Sequence, residues 1–233
     1  MFFGYFYGDW PLLIVLPALI FTIWAQTSVQ SAYRQYSQVR NASGMTGADA
    51  ARRILNANGL HHIRIEPIRG EMTDHYDPRA GVIRLSEGVY HNASVAAVGI
   101  AAHEAGHAVQ HATAYGALKL RNAIIPVCRI GSVAAMPLFI IGLFLASDAL
   151  MTVGILAYAA VTLFQLITLP VEFNASRRAM KAIEGWGYMS DAETDGSRRV
   201  LRAAAMTYVA ALATSLLTLL RLLVLFAGRR DNR

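Results

Sequence analysis

Four apolar stretches, each close to the length of a membrane-crossing helix, dominate what this chain can fold into. Residues 2–25 hold one charge, Asp9; residues 130–146 and 151–169 hold none; residues 203–227 hold only Arg221. An apolar helix needs roughly 20 residues to cross a hydrocarbon core of about 30 Å. Inside that core the backbone must satisfy its own hydrogen bonds, so runs of this kind are helices. The hydrophobic fraction of 55% over 233 residues is bunched into blocks instead of alternating with charges as a soluble core requires. The reading is a mainly α, multi-pass membrane protein with about four apolar helices. Arg221 must snorkel to the interface or line a polar cavity.

The first run has no basic segment ahead of it, because no Lys or Arg precedes Arg34. It reads as a retained anchor rather than a secretory signal. The formal net charge of +6 comes from scattered residues, many of them flanking the apolar runs: Arg34, Arg40, Lys119, Arg121, Arg177, Arg178, Lys181, Arg198, Arg199 and Arg202. That placement fits membrane topology, and it excludes a nucleic-acid partner. The link between the second and third runs (Ser147, Asp148, Ala149, Leu150) carries no positive charge. The positive-inside rule therefore places residues 26–123 and 171–202 in the cytoplasm. A fourth span would put Arg229, Arg230 and Arg233 outside, against the rule. Either the last run is re-entrant or interfacial, or its charges are outvoted. The single cysteine, Cys128, has no intrachain partner and reads as a small apolar filler.

The expected organisation is a membrane anchor at 1–25, a folded cytoplasmic unit at 26–123, a transmembrane hairpin at 124–170, a cytoplasmic segment at 171–202, and a membrane helix with a basic tail at 203–233. In the folded unit, residues 46–58 carry helix marks: Thr46 as N-cap, Asp49 in the first turn, Ala50, Ile54, Leu55 and Ala57 near one face, and Gly59 as a stop. Residues 63–65 and 82–85 are short β-type runs around a turn-rich stretch, Asp74-His75-Tyr76-Asp77-Pro78, with Gly81 nearby. A small sheet thus precedes the next helix, an order that would let an extended peptide add a strand beside it.

That helix, spanning 94–109, holds His103-Glu104-Ala105-Gly106-His107, an H-E-x-x-H pattern. Helical residues four apart share a face, so His103 and His107 can offer imidazole nitrogens to one Zn2+ ion while Glu104 reaches the water bound to it. Apart from these three residues, 94–109 is small or apolar, and buried polar groups are costly unless paired or metal-bound. Ala105 and Gly106 leave room for a neighbouring backbone. A catalytic zinc takes three protein ligands and keeps a place for water. His111 lies about 12 Å along the helix from His103 at 1.5 Å per residue, too far to share an ion. The extended metzincin pattern fails as well, since Gln110 and Thr113 stand in its Gly and His places.

Glu172 is the better third ligand. It follows the third apolar run, and the hairpin between returns it to the side of the membrane where His107 lies. The acidic group Asp191, Glu193 and Asp195 is a weaker rival, because Ser190 with Glu193 reads as a capping box for the following helix.

The chain resembles the neutral zinc metallopeptidases of bacterial membranes, the YugP-like family. The resemblance runs through Asp74-His75-Tyr76-Asp77-Pro78-Arg79, Leu85-Ser86, residues 95–110, Leu169-Pro170-Val171-Glu172-Phe173-Asn174-Ala175-Ser176-Arg177-Arg178-Ala179, and residues 200–208. More distantly, Glu172 to Ser176 is similar to the Glu-x-x-x-Asp element of HtpX-type and CAAX-prenyl-protease-type peptidases, in which the Glu binds zinc and the Asp supports a ligand histidine. Ser176 stands at that Asp position, where its hydroxyl can accept a hydrogen bond with less charge support. The resemblance implies a bacterial membrane location, the cytoplasmic (inner) membrane, and the positive-inside reading above turns the site towards the cytoplasm.

The expected chemistry is peptide-bond hydrolysis by a gluzincin-like site. Zinc on His103, His107 and Glu172 would bring the pKa of its water to about 7, and Glu104 would act as general base. Tyr208, Arg177 and His75 are candidate stabilisers of the transition state, with Ser176 a candidate support for a ligand. The partners expected are a protein or peptide substrate, the lipid bilayer, and membrane-protein partners or an oligomer of unknown kind. Two rival readings remain: an intramembrane protease, and a catalytically silent zinc-bound scaffold. Against the first, the Asp195-Gly196 pair lies in a charged loop. Against the second, a structural site has no need of Glu104. Asn-x-Ser matches at Asn41, Asn92 and Asn174 are read as chance.

Overall fold

The computed structural model describes residues 10–231, so residues 2–9 of the first apolar run, with Asp9, and the terminal Arg233 lie outside the described part. In chain order the elements are α1 (Trp10–Leu13), α2 (Leu16–Ser37), α3 (Gly47–Ala57), β1 (Arg64–Ile68), β2 (His75–Asp77), β3 (Val82–Ser86), α4 (Glu87–Tyr90), α5 (Val95–Ala112), α6 (Gly116–Phe144), α7 (Asp148–Trp186) and α8 (Asp191–Asp231). Four helical stretches among the described residues are long and apolar enough to cross a membrane: Pro11–Ser37, Gly116–Phe144, Asp148–Trp186 and Asp191–Arg229. The chain divides into two compact units, one formed by residues 10–25, 120–169 and 207–231 of the described part, the other by residues 26–119 and 170–206.

In the first unit, helices meet through small residues. A Cβ added at Gly154 would lie 2.7 Å from Phe139 N, and one at Gly142 would lie 2.6 Å from Met151 N, so α6 and α7 approach backbone to backbone. Lipid supplies no hydrophobic drive between helices, and close packing of this kind takes its place. Hydroxyl pairs add polar ties: Thr162 and Ser215 at 2.7 Å join α7 to α8, and Thr22 and Thr214 at 3.0 Å join α2 to α8. Cys128 is buried, with its Sγ donating to Ala160 O, as a space-filling residue would be. Large apolar side chains face outward, Val133 at 74% exposure and Phe144 at 84%, which water would penalise and lipid would not. The link between α6 and α7 is shorter than the sequence implies. Asp148, Ala149 and Leu150 already belong to α7, whose first turn favours an acid, and Ala146 takes the bend at φ +56.

The second unit has an apolar core drawn from both helices and sheet. It is built from Ala50, Ile54 and Leu55 of α3, Ile83 and Leu85 of β3, the Ala/Val surface of α5, Ala179, Met180 and Ile183 of α7, and Leu201 of α8. Its sheet has the order β1-β3-β2, with β1 parallel and β2 antiparallel to β3. β3 is central, and its Val82, Ile83, Leu85 and Ser86 are all buried, so both of its faces are covered. The stretch from Asp74 to Pro78, read from sequence as turn, is corrected here: His75–Asp77 form a strand registered on β3, His75 opposite Arg84 and Asp77 opposite Val82. The turn lies one step later, where Asp77 Oδ1 accepts from the Arg79 and Ala80 amides and Gly81 takes φ +62. Pairing with β3 thus overrides the weak β preference of the three residues. β1 also runs on to Ile68, beyond the apolar residues that signal it.

Thr46 caps α3 as expected and forms a full capping box: its Oγ1 accepts from Asp49 N at 3.2 Å, and Asp49 Oδ2 accepts from Thr46 N at 3.0 Å. Thr46→Ala removes one half of that box. Loss of such a cap costs typically about 1 kcal/mol, so thermal unfolding of the second unit should start at lower temperature while the membrane-length helices keep their circular dichroism signal.

Candidate metal centre

α5 begins where the Ser94 hydroxyl accepts from Ala97 N and ends at Thr113, with Ala114 turning out at φ +53. Its small residues let it sit inside the second unit with most of its surface buried. Against it lies the part of α7 that carries Glu172, Ala175, Ser176 and Ala179, spaced so that all four share one helical face. The approach is close: a Cβ on Gly106 would stand 2.7 Å from the Ala175 carbonyl oxygen. Glycine at 106 is therefore what lets the two backbones touch.

Across that contact, Glu172 Oε2 lies 3.3 Å from His103 Nε2 and 3.5 Å from His107 Nε2. The two imidazole rings stand edge to face, centroids 4.7 Å apart. One ligand atom from each of the three residues lies within 4.8 Å of the others, so the group can hold a metal ion. Atoms bound at about 2.0–2.1 Å around a tetrahedral zinc are roughly 3.3 Å apart, which the His–Glu separations match, and two imidazoles with one carboxylate are a donor set zinc takes. The residues fit the ion.

The electrostatics point the same way. Glu172 is only 4% exposed, and a carboxylate so deep is tolerated only beside positive charge or strong donors. At His107 burial acts to lower the pKa, but the Glu172 and Glu104 carboxylates outweigh it, and the imidazole lies above its ordinary value. Asp74, whose carboxylate accepts from Ser86 N at 2.7 Å, has a raised pKa, first from burial and then from the Glu104 charge, with the Ser86 hydrogen bonds opposing. The Glu172 and Glu104 carboxylates therefore set up a local field at His107 that favours a cation.

The remaining candidates are placed as follows. Ser176 Oγ lies 3.1 Å from His103 Nδ1, so it sits behind a candidate ligand. His75 is in β2, with Nδ1 donating to Thr73 O; Arg177 is exposed on α7; and Tyr208 lies on α8 in the first unit. His111 shares a hydrogen bond with the Tyr76 hydroxyl at 3.0 Å and has no part in the group. Glu193 is occupied as a cap, accepting from Ser190 N and Ala42 N, both at 2.7 Å. Sequence reasoning passed over Gln110, whose Oε1 lies 2.9 Å from His107 Nδ1. Its place three residues after His107, on the same face of an apolar helix, was the available signal.

Comparison with known proteins follows this geometry. Residues 11–227 match the model of the family described as "Putative neutral zinc metallopeptidase". Over 221 residues, 95% of this chain and 98% of the relative, the sequence is 49% identical to the "Putative membrane protease YugP" of Bacillus subtilis (strain 168). No solved structure matches.

Gly106→Ala should separate α5 from α7, because the new methyl group meets backbone instead of a movable side chain. Overpacking of this kind costs about 1–3 kcal/mol. The expected result is a lower melting temperature together with weaker zinc binding in a chelator competition. Gly185→Ala, on α7 with open space around the added carbon, should leave both unharmed.

Proposed function

We propose that this chain, which belongs to the putative neutral zinc metallopeptidase family, is a membrane-bound peptidase that hydrolyses peptide bonds of membrane or membrane-associated proteins at the cytoplasmic face. The observation that carries the reading is the convergence of His103, His107 and Glu172 from two helices, with Glu104 beside the first ligand. Bound there, zinc supplies Lewis-acid polarisation of water and of a substrate carbonyl near neutral pH. The chain's own residues do the rest. His103, His107 and Glu172 hold the ion, and Ser176 and Gln110 set the rings of the two histidines. Glu104 takes the proton of the attacking water and returns it to the leaving amine.

Two features favour an extended, membrane-derived substrate. β2 is an edge strand, paired with β3 on one side, and an extended peptide can add to the other. The four membrane-length helices hold the chain where membrane proteins are. The cytoplasmic orientation rests on the basic residues that flank the apolar runs, from Arg34 and Arg40 to Arg177 and Arg178.

Metal analysis and proteolysis of the purified chain test the reading together. His103→Ala, His107→Ala and Glu172→Ala should each weaken zinc binding, and His111→Ala should not. Glu104→Gln should keep zinc and fold but lose about 10² to 10⁴ in rate, the usual worth of general-base assistance. Wild-type turnover in Glu104→Gln would remove Glu104 from the mechanism. Full zinc in Glu172→Ala would reassign the third ligand.

Orientation has its own test. Single cysteines at Arg69 and Lys181, in a variant lacking Cys128, should both be labelled only after the cytoplasmic side is opened to the reagent. Labelling of the two positions from opposite sides of the membrane would defeat the proposed topology.

A further inference from the structure

Gln110 is completely buried, and the hydrogen bonds of its side chain run to His107 and to the turn of α7 that carries Glu172. Its Oε1 accepts from His107 Nδ1 at 2.9 Å, while its Nε2 donates to Val171 O at 2.8 Å and to Asn174 Oδ1 at 3.0 Å. Val171 and Asn174 bracket Glu172 on α7. Asn174 Oδ1 also accepts from Arg178 Nε at 2.9 Å, which keeps that amide from turning its nitrogen towards Gln110. The Gln110 amide is fixed in turn: rotated by half a turn, its oxygen would face two acceptors and its NH2 group would face His107 Nδ1. With Oε1 as acceptor, His107 carries a proton on Nδ1, so Nε2 is the nitrogen that would face a metal ion beside Glu172.

We propose that Gln110 is a positioning residue that clamps the site across its two helices, holding the tautomer of His107 on α5 and, through Val171 and Asn174, the turn of α7 that carries Glu172. The inference rests on the metallopeptidase reading, since the groups it positions are the ligands assigned there. A carboxylate could set the histidine tautomer equally well and would make the imidazole more basic. It could not donate to Val171 O or Asn174 Oδ1. The carboxamide does both, and it puts no further charge beside an already acidic cluster.

The difference between carboxamide and carboxylate supplies the experiment. Zinc affinity of the full-length purified chain is measured by chelator competition, and the coordination sphere is read from the visible absorption of the Co2+-substituted protein. Gln110→Glu keeps an acceptor for His107 Nδ1 but sets a carboxylate oxygen against two acceptors on α7. The clamp requires it to bind zinc about 10- to 100-fold more weakly, with an altered cobalt spectrum. Affinity equal to or tighter than wild type would mean that Gln110 only orients His107, and would overturn the clamp. Asn174→Ala leaves the His107 contact in place and should give a smaller loss with the same spectral change. Should Gln110→Glu fail to fold by circular dichroism, Asn174→Ala decides alone, and an unchanged affinity and spectrum there overturn the proposal. Wild-type zinc that is lost in His107→Ala yet unaffected in both variants would sink the clamp and leave the metal reading standing. A wild-type chain that binds no zinc would sink both.

Discussion

The contact between Gly106 and the Ala175 carbonyl is the constraint from which the candidate site follows. With 2.7 Å between a would-be Cβ and a backbone oxygen, no larger residue leaves α7 where it is. Because α7 lies so near, Glu172 and Ser176, on the face that carries Ala175, come within reach of His103 and His107. Glu172 then meets both Nε2 atoms and Ser176 meets one Nδ1. Neither helix makes the group alone. Each brings polar residues on an otherwise small or apolar face, and the group closes only at the distance that glycine allows.

Burial gives the arrangement its chemistry. Ala101, Ala102, Ala105 and Ala108 of α5 and Val171, Ala175 and Ala179 of α7 are all buried around the polar group. In such surroundings a carboxylate interacts strongly with whatever lies beside it, and an unpaired one would be costly. The polar groups are accordingly tied to one another: imidazole to carboxylate, imidazole to hydroxyl, imidazole to carboxamide, carboxamide to backbone. A network of this kind favours a single arrangement, because each member has few other partners within reach.

The two units differ in what they bury and in what they expose. The second closes over aliphatic side chains from helices and sheet, as a domain in water does. The first exposes large apolar side chains and joins its helices through Gly142, Gly154 and hydroxyl pairs. This fits helices that gain little from hiding apolar area and much from close backbone packing. The four membrane-length stretches were readable from hydropathy alone, and so were the Thr46 cap and the Ser190–Glu193 capping box, because each depends on residues adjacent in sequence or one turn apart. β2 was not readable. Of His75, Tyr76 and Asp77 only Tyr76 favours a strand, and the conformation of the three comes from pairing with β3.

The sequence by itself determined that this chain has membrane-length helices, that His103 and His107 share a helical face, and that Glu104 lies beside them. These are properties of local periodicity and composition, fixed by 3.6 residues per turn and by the length of an apolar run. Family membership was legible too, and the family match over residues 11–227 agrees with it. Only the tertiary structure decided how near Glu172 comes to the histidines, that Ser176 stands behind one of them, and that Gln110 links the other to Val171 and Asn174. Those contacts join residues more than sixty positions apart, and no local preference sets such a distance. It is set by the packing of α5 on α7, where a missing side chain at Gly106 lets one backbone rest on the other.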